Sequence, residues 1–412
     1  MKKFLPELII ISLIILFSTL IFFQYLKPKG SFKRIAKSVK MTVKTQQSKN
    51  EGYYLSKFPA KKANKIILEL KQGKNRSLML IDPNDFSRKK IFETSGELSL
   101  NPSVTHNGEF IAIQVPAVSS SQKVPISQIS FIDINGKELD YISKYQRPFS
   151  LNNCAFSPDG QFLAYEFSLP NQTYPEIFIE SDLKYFEDAI ITQEDIRIPN
   201  PEKAANHLPQ FLPSGKAIAF LADFSGNPDI CIFDIGVQVP TLIRLTNGAQ
   251  AKSSGKNIFT IDAKEEFLFF IQNVSWEGGE KIFALPIIPS GKPVKSGTIS
   301  MTKFGKINYV EYDQNVTGIS HLFTKITQLF LSPGGDDMLF VGDGQVITMK
   351  LNGSKITELA EGDFTQFSPD GKQVLVGLNE KNASNISFYN FEVKRQDKKI
   401  NLEGHIENMI WF

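Results

Sequence analysis

A short turn motif recurs along this chain, and each copy is followed by a hydrophobic run. The copies read VTHNGEFIAI from Val104, FSPDGQFLAY from Phe156, FLPSGKAIAF from Phe211, FTIDAKEEFLFF from Phe259, LSPGGDDMLF from Leu331 and FSPDGKQVLV from Phe367. The copies at Phe259 and Leu331 are the weaker ones. Units of this size cannot bury their apolar faces alone and therefore stack on their neighbours. The repeat predicts one repetitive β domain.

Chain reversal explains why these residue types recur. Proline presets φ at the second position of a turn, aspartate suits the third, and glycine adopts the left-handed conformation without steric cost. Each turn is predicted to join two antiparallel strands, and its aspartate is interpreted as structural rather than catalytic. The full copies of the turn are Ser157, Pro158, Asp159, Gly160 and Ser368, Pro369, Asp370, Gly371. The content of 34 Phe, 27 Gly and 22 Pro also favours many short strands joined by turns.

The spacing of the motif predicts a closed ring of sheets. Successive copies start 52, 55, 48, 72 and 36 residues apart. This fits four-stranded blades of about 40 to 50 residues, with one insertion and one short unit. We expect the insertion to be a loop excursion around residues 305–320. Residues 65–70, 77–81 and 90–94 supply three strands without a preceding turn, and the C-terminal ENMIWF resembles the missing inner strand.

The fold class is therefore predicted as all-β. The six copies of the motif and the terminal strand ending at Phe412 give a β-propeller of about seven four-stranded blades, closed by the two ends of the repeat region. Six blades is the alternative, if the weak copy at Phe259 does not start a blade.

The repeat resembles that of the TolB-like propeller family, in which a blade reads as a proline, an aromatic, SPDG, a hydrophobic strand, SDRSGNP and LT-G. The matching residues are Pro209, Phe211, Pro213, Gly215, Asp223, Ser225, Gly226, Asn227, Pro228, Leu245, Thr246 and Gly248. The resemblance covers about residues 55–412 and implies a propeller that acts as an interaction scaffold in the cell envelope. The family usually has six blades. The α/β domain that precedes the propeller in TolB is not expected here, so the partners of TolB itself are not transferred.

Residues 1–30 are predicted to form a signal anchor with one transmembrane helix. Residues 8–23 carry no charge, and the three residues after them extend the apolar run to nearly the ~20 residues that span a bilayer. No small-x-small cleavage site follows. Residues 31–54 form a basic juxtamembrane stalk. Within it, residues 31–44 have the pattern of an amphipathic helix that could lie among lipid headgroups, and a solvated, flexible stalk is the alternative.

Two signals conflict on the orientation of this single-pass protein. The signal-like start favours export, which would make the propeller periplasmic or envelope-facing, and this is the preferred interpretation. More positive charge follows the apolar run than precedes it, which favours a cytoplasmic propeller.

Charge and residue spacing argue against several classes of function. Residues 1–50 hold 10 Lys or Arg and one acid, so residues 51–412 keep 36 of the 46 basic and 42 of the 43 acidic residues. This balance gives no electrostatic reason to expect nucleic acid as a partner. Cys154 and Cys231 lack metal-ligand spacing and are interpreted as small buried hydrophobes. We expect no cofactor, no metal and no catalytic residue, because the sequence contains neither a histidine metal motif nor GxSxG.

Seven positions, each four residues before the first residue of a motif copy or before Phe412, are predicted to ring one mouth of the central channel. They are Leu100, Asn152, His207, Gly255, Thr327, Asp363 and Asn408. The candidate contacts to a ligand or partner are Asn152, His207, Thr327, Asp363 and Asn408. The alternative is that these residues bind channel water and cap backbone groups.

Two functions from different classes follow from these observations. The first is a non-enzymatic, membrane-anchored scaffold that presents a propeller face to an unidentified protein partner. The second is a propeller hydrolase or lyase that acts on a small carbohydrate or lactone at the channel mouth, with His207 and Asp363 as the residues that test it. The first is preferred, because no catalytic constellation stands out.

Overall fold

The computed structural model describes residues 64–412 except 106, 109, 118–125, 143–149, 169–173, 181–195, 201, 225–226, 253–254, 256, 275–276, 302–304 and 382. The predicted transmembrane segment (1–30) and basic stalk (31–54) lie outside the described residues. Within the described residues, no helix has both the length and the apolar character needed to cross a membrane.

The described residues form strands joined by turns. In chain order the strands are β1 (Ile66–Gln72), β2 (Asn75–Ile81), β3 (Arg88–Ser95), β4 (Ser103–Val104), β5 (Ile111–Ala117), β6 (Ile126–Ile132), β7 (Glu138–Ile142), β8 (Ser150–Phe156), β9 (Leu163–Ser168), β10 (Glu176–Glu180), β11 (Ile196–Arg197), β12 (Ala205–Phe211), β13 (Ala217–Phe224), β14 (Asn227–Asp234), β15 (Thr241–Arg244), β16 (Phe259–Ile261), β17 (Phe267–Val274), β18 (Gly279–Pro286), β19 (Lys295–Met301), β20 (Gly305–Glu311), β21 (Thr317–Gly318), β22 (Ile326–Leu331), β23 (Asp337–Gly342), β24 (Gln345–Lys350), β25 (Thr357–Glu361), β26 (Phe364–Phe367), β27 (Gln373–Asn379), β28 (Ala383–Asn390), β29 (Arg395–Glu403) and β30 (His405–Trp411).

These strands pair into seven sheets, the blades of a propeller. The strand orders are β3-β2-β1-β30 in blade 1, β4-β5-β6-β7 in blade 2, β11-β10-β9-β8 in blade 3, β12-β13-β14-β15-β20-β19 in blade 4, β16-β17-β18-β21 in blade 5, β22-β23-β24-β25 in blade 6 and β26-β27-β28-β29 in blade 7. The all-β, seven-bladed prediction is confirmed. The six-bladed alternative is wrong, because the weak copy at Phe259 starts β16, which pairs with β17.

The core lies between the blades. Second strands such as β13 and β27 are buried over four or more consecutive residues, because neighbouring blades cover both of their faces. The outer strand β29 is instead mostly exposed. One apolar cluster runs through blades 4, 5 and 6 and includes Leu221, Phe270 and Phe340. A single blade thus leaves large apolar faces open, and its stability depends on its two neighbours.

The long interval between the fourth and fifth copies of the motif holds a β-hairpin, where a loop around residues 305–320 was expected. The hairpin β19–β20 leaves blade 5 after its third strand and adds to the outer edge of blade 4, where β20 pairs in parallel with β15. The chain then returns to blade 5 through β21, which pairs with β18. Apolar and polar residues alternate only weakly in the insertion, and it has no turn motif of its own. The sequence therefore did not indicate strands there.

The ring closes between the first and last described strands, as predicted. β30 pairs antiparallel with β1, and Lys65 and Phe412 exchange two backbone hydrogen bonds of 3.0 Å. Trp411 is 4% exposed, its ring meets Phe388 edge-on at 5.8 Å, and its indole N–H donates to Asn64 Oδ1 at 2.9 Å. One aromatic side chain therefore ties blade 1 to blade 7.

We expect Trp411→Ala to lower the free energy of unfolding by roughly 3–5 kcal/mol, because it removes a large buried side chain at the closure. Val393 is 63% exposed, so Val393→Ala should change this free energy by about 0.5 kcal/mol or less. Urea unfolding followed by circular dichroism measures both. Equal losses for the two variants would contradict the role of Trp411 in closure.

Candidate functional site: the central channel

A channel of about 380 Å³ lies between the inner strands, and all seven blades contribute to its wall. Six of the lining side chains are carboxamides: Asn101, Asn153, Gln210, Asn257, Gln366 and Asn408. Apolar residues such as Leu208, Phe259 and Phe330 fill the space between them. Cys154 is the one titratable side chain among the described residues of this wall. The channel is therefore neutral and rich in groups that both donate and accept hydrogen bonds.

The inner strands β8 and β12 each carry a β-bulge. The register shifts after Asn152 in β8 and after His207 in β12. The following residues, Asn153 and Leu208, have positive φ values of 39° and 53°. Asparagine tolerates this left-handed region, whereas a leucine there costs roughly 1–2 kcal/mol. A bulge also turns backbone groups out of the ladder, so neighbouring groups must hold Leu208 in place and satisfy its N–H.

Glu166 of β9 supplies that support. Its Oε1 accepts hydrogen bonds from the backbone N–H of Leu208 at 2.6 Å and from Nδ2 of Asn153 at 2.8 Å. Its Oε2 lies 3.9 Å from Nδ1 of His207. Glu166 is only 3% exposed, so these donors replace the water that its carboxylate has lost. The interaction joins blade 3 to blade 4 at the channel wall.

The same kind of hydrogen bond joins other neighbouring blades. In each case a side-chain oxygen of one blade accepts a backbone N–H in, or just before, the inner strand of the next. The other pairs are Glu69 with Leu100 N (2.7 Å), Glu280 with Ile326 N (2.5 Å), Gln328 with Thr365 N (3.0 Å) and Gln366 with Trp411 N (2.7 Å). We call Glu69, Glu166, Glu280, Gln328 and Gln366 the inter-blade acceptors. They fix the inner strands around the channel.

The structure separates the five predicted mouth residues. Asn408 lies in the channel wall. Asn152 accepts a hydrogen bond from Gln114 of the preceding blade, and His207 faces Glu166. Asp363 is exposed and accepts the backbone N–H of Asn379 at 2.8 Å.

Thr327 takes the extra position of a bulge in β22 and lines a second hollow of about 660 Å³, beside Lys252 and Glu280. Lys252 and Glu280 form an ion pair of 2.8 Å there. No hydrogen bond or ion pair within the described residues joins His207 to Asp363, which belong to blade 4 and to the segment before blade 7.

A one-residue offset explains why the sequence missed most of the wall. Asn153 and Leu208 line the channel, while the residues before them, Asn152 and His207, contact neighbouring blades. The offset arises because the bulges change the phase of β8 and β12, and the alternation of residue types along a strand does not show a bulge. The signal for the wall that the sequence did offer was the asparagine at positions 101, 153 and 257. Each stands two or three residues before the first residue of a motif copy.

The SPDG turns lie at the other end of the inner strands. In the second copy, the Ser368 hydroxyl donates to Asp370 Oδ1 at 2.7 Å, and the backbone N–H of Lys372 donates to the same oxygen at 3.0 Å. Gly371 has a φ of 74°. The turn of Ser157, Pro158, Asp159 and Gly160 repeats these bonds. Partial burial raises the pKa of Asp370, but the hydrogen bonds from Ser368 and Lys372 outweigh it, so the pKa lies below its usual value.

No protein-family model and no curated protein matches the chain. Similar solved structures include TolB from Acinetobacter baumannii, at 18% identity and a TM-score of 0.46 over 86% of this chain and 68% of that one. The periplasmic gluconolactonase PpgL of Pseudomonas aeruginosa has 12% identity and a TM-score of 0.52 over 84% and 98%. Oligogalacturonate lyase in complex with manganese has 11% identity and a TM-score of 0.51 over 76% and 82%.

These likenesses are of the fold alone. The chain is a seven-bladed β-propeller, the fold that its repeat predicts.

We expect Glu166→Ala to lower the free energy of unfolding by at least about 2 kcal/mol, because it leaves the backbone N–H of Leu208 and Nδ2 of Asn153 without their acceptor. Glu358 is exposed on the outer strand β25, so Glu358→Ala makes the same chemical change with little effect. Urea unfolding of both variants tests this. A cost for Glu166→Ala no larger than that for Glu358→Ala would show that the inter-blade acceptor does not hold the bulge.

We expect the cost of Asp370→Asn to depend on pH. Because the pKa of Asp370 is depressed in the fold, its carboxylate contributes stability above the unfolded pKa, and this contribution disappears as the pH falls through the folded pKa. Asp370→Asn should therefore destabilise the protein at pH 7 and cost less at about pH 2. Asp336→Asn is the control, since Asp336 is exposed in the corresponding turn of blade 6. A cost of Asp370→Asn that is constant with pH would contradict the prediction.

Proposed function

We propose that this propeller is a non-enzymatic binding module, anchored in a membrane, that receives a segment of a partner protein at the channel. The observation that carries the proposal is the composition of the channel wall. Six carboxamides and several apolar side chains form it, and no charged side chain belongs to its described part. A carboxamide pairs with both the N–H and the C=O of a peptide backbone. A volume of about 380 Å³ falls in the range of small binding sites.

The inter-blade acceptors support this proposal. They use the buried carboxylates near the channel to cap backbone N–H groups, as with Glu69 and Glu166. A side chain that must remain an acceptor for the fold is poorly suited to give up or take protons in a reaction. The carboxamides of the wall titrate in no accessible pH range, so binding by this wall should change little between pH 5 and pH 8.

Membrane attachment is part of the proposal and is supported by the sequence of residues 1–54. The apolar run in residues 8–23 has nearly the length of a span, and the basic residues 31–44 suit anionic headgroups. We place the propeller outside the cytoplasm, in the periplasm or facing the envelope, on the signal-like start of the chain. The partner is an unidentified protein, and neither nucleic acid nor a cofactor is included.

The alternative is a hydrolase or lyase acting on a small carbohydrate or lactone at the channel mouth. The propeller fold is shared with PpgL and with oligogalacturonate lyase. The residues for such an activity would be His207, which faces a buried carboxylate, and Asp363, which is exposed. The two side chains stand on different blades, so they could act together only on a ligand that spans the mouth.

We expect Ala155→Trp to abolish partner capture, because Ala155 lies in the channel wall and an indole there would fill much of the channel. Val393→Trp places the same side chain on an exposed outer position and should leave capture unchanged. The assay is mild crosslinking in the native membrane, followed by detergent extraction of the tagged full chain and mass spectrometry.

Equal capture by the two variants would contradict a channel-bound partner. Turnover of a lactone or a uronate oligosaccharide by the wild type, lost in both His207→Ala and Asp363→Ala, would establish the alternative instead.

A further inference from the structure

The hairpin β19–β20 gives blade 4 an outer edge unlike that of the other blades. It extends this blade to six strands. A polar network holds it: Lys295 lies 3.1 Å from Glu311 and 3.3 Å from Glu202, and the Tyr309 hydroxyl donates to Glu311. These hydrogen bonds, with the Arg244 charge, keep the pKa of Glu311 below its usual value despite partial burial. The hairpin is therefore part of the blade, and we call the outer side of β19, with which no strand of the described residues pairs, the free edge.

The residues of β19 leave this edge without the usual protection. Long outer strands commonly carry charges that prevent pairing with other chains. The outer strand β3 contains RKK and a glutamate, and β29 contains Arg, Asp and two Lys. β19 reads KSGTISM, so the six residues after Lys295 are uncharged. Lys295 is itself held by Glu311 and Glu202.

The pairing of β20 shows which backbone groups of β19 face outward. The N–H groups of Asn308 and Tyr312 donate to carbonyls of Pro240 and Arg244, on the β15 side. Backbone groups alternate sides along a strand, so Ile307, Tyr309 and Glu311 face β19. Their partners in β19 are positions 299, 297 and 295. The backbone groups of positions 296, 298 and 300 therefore point to the free edge.

Space is available beside this edge. A Cβ built on Gly297 would meet no other atom within 4 Å. Thr298 is exposed, and Ile299 is half-buried against the apolar cluster that contains Ile307 and Tyr309. An added strand could cover both the open position at Gly297 and the exposed part of Ile299.

We propose that β19 pairs antiparallel with β19 of a second copy of this chain, about a twofold axis at Thr298. In this register Thr298 faces Thr298, a favourable cross-strand pair. Gly297 faces Ile299, so a large side chain of one copy covers the open space of the other. Lys295 faces position 301 rather than another lysine, so no like charges meet. A self-complementary edge forms a closed twofold dimer, the commonest symmetry among homo-oligomers.

Charge substitutions at Thr298 test the twofold register. Because this residue faces itself across the axis, Thr298→Lys or Thr298→Glu alone places like charges directly opposite each other. We expect each variant of the full chain, in detergent, to raise the dimer dissociation constant at least about tenfold in sedimentation experiments. An equimolar mixture of the two variants should restore the dimer as a heterodimer, and this recovery also shows that both variants are folded.

Three results would overturn the proposal. The wild-type chain could remain monomeric at the highest concentration tested, which would leave the edge to a different partner. Both variants could dimerise like the wild type, which would assign the dimer to another surface. The mixture could fail to recover a dimer that each variant has lost, which would rule out the register at Thr298.

Discussion

Each blade of this propeller has to bury both of its faces, and this requirement governs the rest of the structure. A ring that is open at one point would expose two apolar faces, so β30 has to return to β1 and complete blade 1. Packing alone does not satisfy every backbone donor at the inner strands, as the bulge at Leu208 shows. The inter-blade acceptors bind backbone N–H groups at five junctions and set the inner strands there against the preceding blade.

The junction of blades 4 and 5 has an additional main-chain connection. Leu221 stands opposite His207 in blade 4, where Glu166 stands opposite Asn152 in blade 3. The carboxylate of blade 4 lies one strand further out, where Asp229 Oδ1 accepts the backbone N–H of Ala249 at 2.9 Å. Here the hairpin β19–β20 leaves blade 5 and pairs with the edge of blade 4. Main-chain pairing at the periphery thus joins the two blades in addition to the Asp229 contact. The same hairpin creates the uncharged outer edge proposed to form the dimer.

The sequence predicted the features that repeat and missed those that depend on local irregularity. The SPDG turns, the closing strand and the blade that begins at Phe259 were predicted, because their residue types have a direct conformational meaning. The channel wall was not predicted, because a bulge moves the lining position by one residue, from Asn152 to Asn153 and from His207 to Leu208. The hairpin was also missed, since its pairing with blade 4 is a tertiary choice that no local pattern encodes. Candidate ligand contacts are therefore the least predictable part of such a fold.

The proposed function requires that the amide-lined channel bind a segment of another protein. Site-specific photocrosslinking tests it most directly, with a photoreactive amino acid at Gln210 in the channel wall and, in a second chain, at the exposed Val393. In the native membrane, we expect a discrete crosslinked protein from position 210 and none from position 393. A probe at 210 that reacts only with solvent, or identical products from both positions, would contradict it.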